Sequence, residues 1–359
     1  MRVLAISFLL VIVVCGCNKS DPAPSRTYRM GFQNSAPRFD DFNLFVKTLQ
    51  MWVEPGNVAD AAMITTEVPW KELLGGQSVV KYVVDNYAGL VAYYRQHNLK
   101  LWVYIDPANG LNRSSDAQAL VDAGKSIADD DAQALYNRFV IVMDSVLMPE
   151  HLGLALEVNM IRIASPPAIY SAIQKAAGDA ARELKLRGSN ALLSVSVQAD
   201  VSWGSITGTY QYTGIQQELT HFDFIEELGI SSYPYFGYNS PADIPHDYYS
   251  KIADEAGLPV FVSEGGWPSQ SFPGPNNTQI VSDASEQSEY IWKQASLLTH
   301  ANAIGLFSLT FTDIDVSSIP SGVDPTIQYF TFLGVVDKDL KPKEAFDRWK
   351  EVFARELIE

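Results

Sequence analysis

From Tyr28 onward, short apolar runs alternate with longer amphipathic stretches. The first kind marks a strand covered on both faces, the second a helix with one face on a core. Strands are predicted over residues 29–33, 61–66, 100–105, 152–158, 191–197, 224–232, 260–263 and 303–311. Helices are predicted near 40–50, 79–97, 117–148, 166–184, 248–256, 285–300 and 341–357. The third is broken at Asp129-Asp130-Asp131, an N-cap signal for a second helix. Eight strands, all but the fifth trailed by a predicted helix, predict the α/β class and a single (β/α)8 TIM barrel over residues 28–359. The competitor is a two-domain doubly wound sheet. It needs a glycine-rich turn after its first strand, where this chain has Gln33-Asn34-Ser35-Ala36.

The N-terminus follows another pattern. Arg2 precedes an apolar run over residues 3–14, too short to span a bilayer, and Val14-Cys15-Gly16-Cys17 follows. This resembles a bacterial lipoprotein signal, which implies cleavage before Cys17 and lipid on its thiol; an ordinary secretory signal is the alternative. Residues 1–17 then form the signal peptide, and the polar, proline-containing residues 18–27 form a tether. The only two cysteines lie here, so the mature body has no disulfide. The folded domain is expected outside the cytoplasm, lipid-anchored in a bacterial cell envelope at the outer membrane or cell surface. Asn18 after the lipidated cysteine suits the outer membrane of a Gram-negative host. A net charge of −16 argues against nucleic acid and against anionic membranes as partners of the folded surface. Neutral sugars are indifferent to that charge. A monomer touching the membrane only through its lipid is the expectation.

Polar residues collect at the predicted strand ends: Glu67, Asp106, Glu157, Gln198, Asp200, Tyr233, Glu264 and Asp313. In a parallel barrel the C-terminal mouth is where chemistry is done. Two carboxylates stand out. Period-two alternation in strand four places Glu157 on one face with Ala155 and Asn159. A glutamate in so apolar a run belongs at the rim or in an ion pair, with Arg162 or another barrel cation as the structural partner. The second lies in P-V-F-V-S-E-G-G-W-P-S, residues 259–269. There a buried strand ends at Glu264, two glycines turn the chain outward, and Trp267 is expected to stand exposed. A cap or a surface charge is the plainer reading of Glu264. Strands four and seven face each other across the mouth, and retaining glycosidases need two carboxyl groups about 5–5.5 Å apart.

With those residues in place, a resemblance enters. Glu after strand four, Glu after strand seven and Tyr after strand six resemble clan A of the glycoside hydrolases. V-S-E-G-G-W-P-S is similar to the nucleophile strand of family 17 β-glucanases, and G-I-S-S-Y-P-Y-F to strand six of family 53 endo-galactanases. The tail from Leu333 through Lys341-Pro342-Lys343 to Trp349 is similar to the ending of many members. The resemblance implies Glu264 as nucleophile, Glu157 as general acid/base, and Tyr233 donating its hydroxyl to Glu264. The clan usually carries Asn immediately before the acid/base, and here that position is Leu156; Asn159 is the candidate substitute. Trp267, Trp70, Trp203, Tyr235 and Tyr238 are candidates for stacking on sugar rings, with Gln198 as a polar contact. Asp106 and Arg113 are expected to brace the strand-three loop. Five scattered histidines without an H-x-H argue against a catalytic metal, and no cofactor is implied. No G-x-S-x-G elbow is present. The reading is a retaining hydrolase of a β-linked poly- or oligosaccharide. A non-catalytic glycan-binding barrel and a transglycosylase are the rivals.

Overall fold

The computed structural model describes residues 25–274 and 279–358. The signal peptide, Cys17 and most of the tether lie outside the described residues. Eight parallel strands close into a barrel: β1 (Arg29–Gln33), β2 (Ala61–Glu67), β3 (Lys100–Asp106), β4 (His151–Gly153), β5 (Leu192–Gln198), β6 (Glu227–Ser232), β7 (Val260–Gly265) and β8 (Gly305–Ser308). Each strand pairs with its neighbours in sequence, and β8 returns to β1. The expected (β/α)8 barrel is therefore the fold. Among the described residues no helix is long and apolar enough to cross a membrane.

Alternation along the strands sorts side chains between the barrel interior and the helix layer. Trp102, Tyr104, Phe261, Phe307, Met63 and Ala61 fill the interior, while Val103, Leu193, Leu228, Val260 and Val262 pack under the helices. Tyr104 is the central plug, and its hydroxyl receives a hydrogen bond from Ser194 (3.0 Å). Two glycines make room for it. A Cβ on Gly153 would lie 2.4 Å from the Tyr104 ring, and one on Gly229 2.3 Å from its hydroxyl. Below, Trp102 stacks on His151 with ring centroids 3.7 Å apart, and His151 Nδ1 lies 2.8 Å from the fully buried Glu227.

Two expectations need correction. Strand four stops at Gly153 rather than running to residue 158. The chain keeps company with β5 through Leu154 N–H to the Ser194 carbonyl and Ser196 N–H to the Ala155 carbonyl, then enters the helix Val158–Ala164. Asn159 thus lies on a helix, and no strand face joins it to Glu157. The tether is also shorter than expected. Arg26 is buried, donates to Asp60 (2.7 Å) and to the Tyr28 carbonyl, and its backbone pairs with the chain's end near Leu357.

Candidate active site

Glu264 owes its direction to an irregularity. In strict alternation it would share the helix-facing side with Val260 and Val262. The β6–β7 register shifts between Ile230 and Ser231, so that Ile230 faces Val262 but Ser231 faces Glu264. Ser263 is the extra residue of this bulge, and the slip turns Glu264 into the barrel. Gly265 and Gly266 follow with φ of 151° and 158°, and a Cβ on Gly265 would strike the Ser232 carbonyl at 2.2 Å. Only glycine allows that close approach.

Glu157 reaches the same place by another route. It sits at the N-cap of Val158–Ala164 with φ 49° and ψ 44°, a left-handed conformation costly for a side chain of its kind. The backbone holds it there: its N–H donates to Ser196 Oγ (2.8 Å), and its carbonyl accepts from Met160 and Ile161. Asn159 is a brace for this turn. Fully buried, it donates to the Gln198 carbonyl (2.9 Å) and accepts from the Gln198 N–H (2.7 Å). It therefore does not take the place of the missing asparagine. Leu156, at that position, packs into the barrel interior beside Tyr104 and Phe261.

The two carboxyl groups meet at one hydroxyl. Ser231 Oγ lies 2.5 Å from Glu157 Oε1 and 2.9 Å from Glu264 Oε1, so these oxygens are at most about 5.4 Å apart. Tyr233 donates to Glu264 Oε1 (3.2 Å), and Gln33 Nε2 lies 3.4 Å from Glu264 Oε2. Arg113 is the site's cation. Its Nε donates to Glu157 Oε2 (2.9 Å) and its Nη1 to Asp106 Oδ2 (2.5 Å), all three side chains being buried. The expected Asp106–Arg113 brace exists, and it extends to Glu157; Arg162 pairs instead with Glu218. Burial above the aromatic plug, and then the charge of Glu157, push the Glu264 carboxyl up to about 7. Burial and the same two carboxylates hold the Tyr233 phenol well above its ordinary value, so it remains a donor.

The aromatic expectations fare differently. Trp267 is buried, not exposed, and its indole donates to Ser282 Oγ (2.9 Å). Trp70 is buried against the core, and Trp203 donates to the Tyr248 carbonyl (2.9 Å). Tyr235 is also buried, donating to the Tyr329 carbonyl (3.1 Å). None of these four presents an open ring face. Tyr238 is half-buried against Tyr210 and Tyr248. Of the remaining strand-end residues, Glu67 accepts the Gly110 N–H, Asp313 pairs with Lys343, and Asp200 accepts from Tyr248 and the Tyr233 N–H. These three serve the framework.

A cavity of about 270 Å³ opens beside Glu157, walled by Arg113, Gln198, Tyr233, Phe236, Tyr329 and Phe330. One wall belongs to the 3-10 segment Pro325–Phe330, tied down where Thr326 donates to the Leu111 carbonyl. Grooves of about 700 and 740 Å³ lie elsewhere, at Arg138 and Asp179 between helices and at His151 under the barrel. They are larger, but Glu157, Arg113 and Tyr233 line the smaller cavity, and chemistry outweighs size here. Among the described residues no His, Cys, Asp or Glu cluster is arranged to hold a metal.

Sequence reasoning did not select Ser231, Gln33 or the Arg113–Glu157 link. Ser231 carried a usable signal, since it precedes Tyr233 by two and so shares its inward face.

No family model matches the chain, and no curated protein sequence matches it. Solved structures do. A Bifidobacterium longum GH5_18 variant in complex with Manβ1-4GlcNAc superposes with TM-score 0.61 at 19% identity, over 91% of this chain and 78% of that one. A β-glucosidase from Thermotoga maritima in complex with glucoimidazole gives 0.63 at 10% identity, over 92% and 99%. The exo-β-1,4-mannosidase Op5Man5 from an Opitutaceae bacterium gives 0.59 at 14%, over 93% and 60%. The likenesses to families 17 and 53 stay with the short segments that carry them. At these identities the likeness is one of fold alone: this chain and these proteins share the (β/α)8 barrel.

Proposed function

We propose that the protein is a retaining glycoside hydrolase acting on a β-linked oligo- or polysaccharide. The observation that carries this is the shared Ser231 contact, which keeps the Glu157 and Glu264 carboxyl oxygens within about 5.4 Å. That spacing suits direct attack and leaves no room for a water between carboxylate and sugar. In the first step a Glu264 oxygen bonds to the anomeric carbon while Glu157 gives its proton to the departing glycosidic oxygen. In the second, Glu157 takes a proton from water, the water oxygen bonds to the same carbon, and Glu264 leaves. The fold neighbours named as a β-glucosidase and an exo-β-1,4-mannosidase make β-glucosides and β-mannosides the first substrates to try. In this reading the lipid on Cys17 holds the barrel outside the cytoplasm. Metabolic labelling with a fatty-acid precursor, lost in Cys17→Ser, tests that part.

The catalytic part is tested with 4-nitrophenyl β-glycosides. Glu264→Ala should lower kcat/KM for these substrates by at least about a thousandfold, and Glu157→Ala should do so for unactivated β-linked oligosaccharides, whose departing alcohol needs a proton. Undiminished hydrolysis in either variant overturns the assignment. Two observations favour the rival, a glycan-binding barrel without catalysis: Leu156 stands where a polar sugar contact is expected, and Arg113 already engages Glu157. Saturable glycan binding by wild type without turnover would favour that rival.

A further inference from the structure

We propose that Ser231 is a positioning residue that relays a proton between Glu264 and Glu157, setting which carboxyl is the acid when substrate arrives. The proposal rests on the glycosidase reading above and gives a proton-carrying role to a residue which that reading uses only as a shared contact.

A serine hydroxyl has a single proton to donate. Ser231 Oγ nevertheless lies within hydrogen-bond distance of two carboxyl oxygens, Glu157 Oε1 at 2.5 Å and Glu264 Oε1 at 2.9 Å. With both carboxyls ionised, one of those contacts would be oxygen against oxygen with no hydrogen between. The arrangement is satisfied when one carboxyl carries a proton and donates it to Ser231, which donates its own to the other. The remaining partners fix where that proton sits. Arg113 Nε occupies Glu157 Oε2 as a donor, so a proton on Glu157 belongs on Oε1, facing Ser231. On Glu264, Oε1 accepts from Tyr233 and Gln33 approaches Oε2 as a donor; Oε1 is the oxygen in contact with Ser231, so a proton exchanged with Glu157 passes through it.

The same atoms supply the route. Glu264 gives its proton to Ser231 Oγ as Ser231 gives its own to Glu157 Oε1. Glu264 is left as the carboxylate needed for attack and Glu157 as the acid, and the site's net charge is unchanged. The charged and titratable groups facing the pair are Arg113 and Asp106 from β3 and its loop, Tyr104 from β3, and Tyr233 after β6. Burial and the neighbouring Glu157 charge raise the Glu264 carboxyl, and the two Ser231 contacts are satisfied with one proton shared across the pair. The relay is what makes that resting state productive.

The test compares wild type with Ser231→Ala and Ser231→Thr, the second keeping the hydroxyl. Infrared titration of the substrate-free protein follows the carbonyl stretch of the protonated carboxyl. With 4-nitrophenyl β-glucoside or β-mannoside, the pH profile of kcat is recorded beside it. We expect Ser231→Ala to shift the carbonyl band and its titration midpoint. It should also lower kcat at least tenfold with little change in KM, and displace the limbs of the pH profile. Ser231→Thr should restore both. An unchanged band and profile in a folded Ser231→Ala overturns the relay, as does a threonine variant that behaves like alanine. If wild type hydrolyses neither glycoside, the infrared arm still decides the relay, and only the hydrolase reading suffers.

Discussion

At the scale of single residues, Glu264 binds its proton more tightly in the folded chain than in the unfolded one. Its carboxyl moves from an ordinary 4.5 to about 7, through burial first and Glu157 second. Between those values the folded protein holds a proton that the unfolded chain has released. Stability is therefore lost as pH rises across that window and is flat beyond it. Glu264→Gln removes the group that must ionise. It should stabilise the protein by about 1–3 kcal/mol at pH 8 and by almost nothing at pH 4, read from denaturant melts at the two pH values. Equal effects at both would show that Glu264 is not the group responsible. Both glutamates and Tyr233 were legible in the sequence because each ends an apolar run. Their partners were harder. Arg113 lies in a loop after β3, and nothing local says that it bridges Asp106 to Glu157. The exposed face expected of Trp267 failed because Gly265 and Gly266 fold the chain back over Ser282 rather than out to solvent.

At the scale of elements, seven of the eight strands lie close to where the apolar runs put them. Strand four does not. Leu154, Ala155 and Leu156 are as apolar as a strand, yet after Gly153 the chain turns, and hydrophobicity alone cannot distinguish a buried turn from a buried strand. The bulge at Ser263 was equally hidden, because it depends on the β6 register and not on residue type. The interior layer under the site gives a direct test. Gly153→Ala places a methyl within 2.4 Å of the Tyr104 ring and should destabilise the barrel by about 1–3 kcal/mol. A melting temperature unchanged from wild type would mean that Tyr104 is free to move aside. Lower down, Glu227 is fully buried with His151 as its side-chain partner and one oxygen without any. His151→Ala strands that carboxylate and should cost about 3 kcal/mol at neutral pH, measured by chemical denaturation. The double variant with Glu227→Gln should recover part of the loss.

At the scale of the whole molecule, the barrel is closed near its seam by the first and last segments of the described residues. Arg26 donates to Asp60, and its backbone pairs near Leu357, so the folded body starts before Tyr28. A chain beginning at Ser25 should melt like one with the entire tether. One beginning at Tyr28 should melt several degrees lower, because Asp60 loses its partner. Composition could not locate that edge, since residues 18–27 are polar throughout. What the whole fold does for function is bring β4, β6 and β7 to one lip, so that residues 157, 231 and 264 share a hydrogen-bonded line. The most direct test of that arrangement is mass spectrometry of the protein after exposure to a 2-deoxy-2-fluoro β-glycoside with a good leaving group. The account predicts one sugar added on the peptide containing Glu264, and none in Glu264→Gln. A label on any other residue, or turnover with no adduct at Glu264, would contradict it.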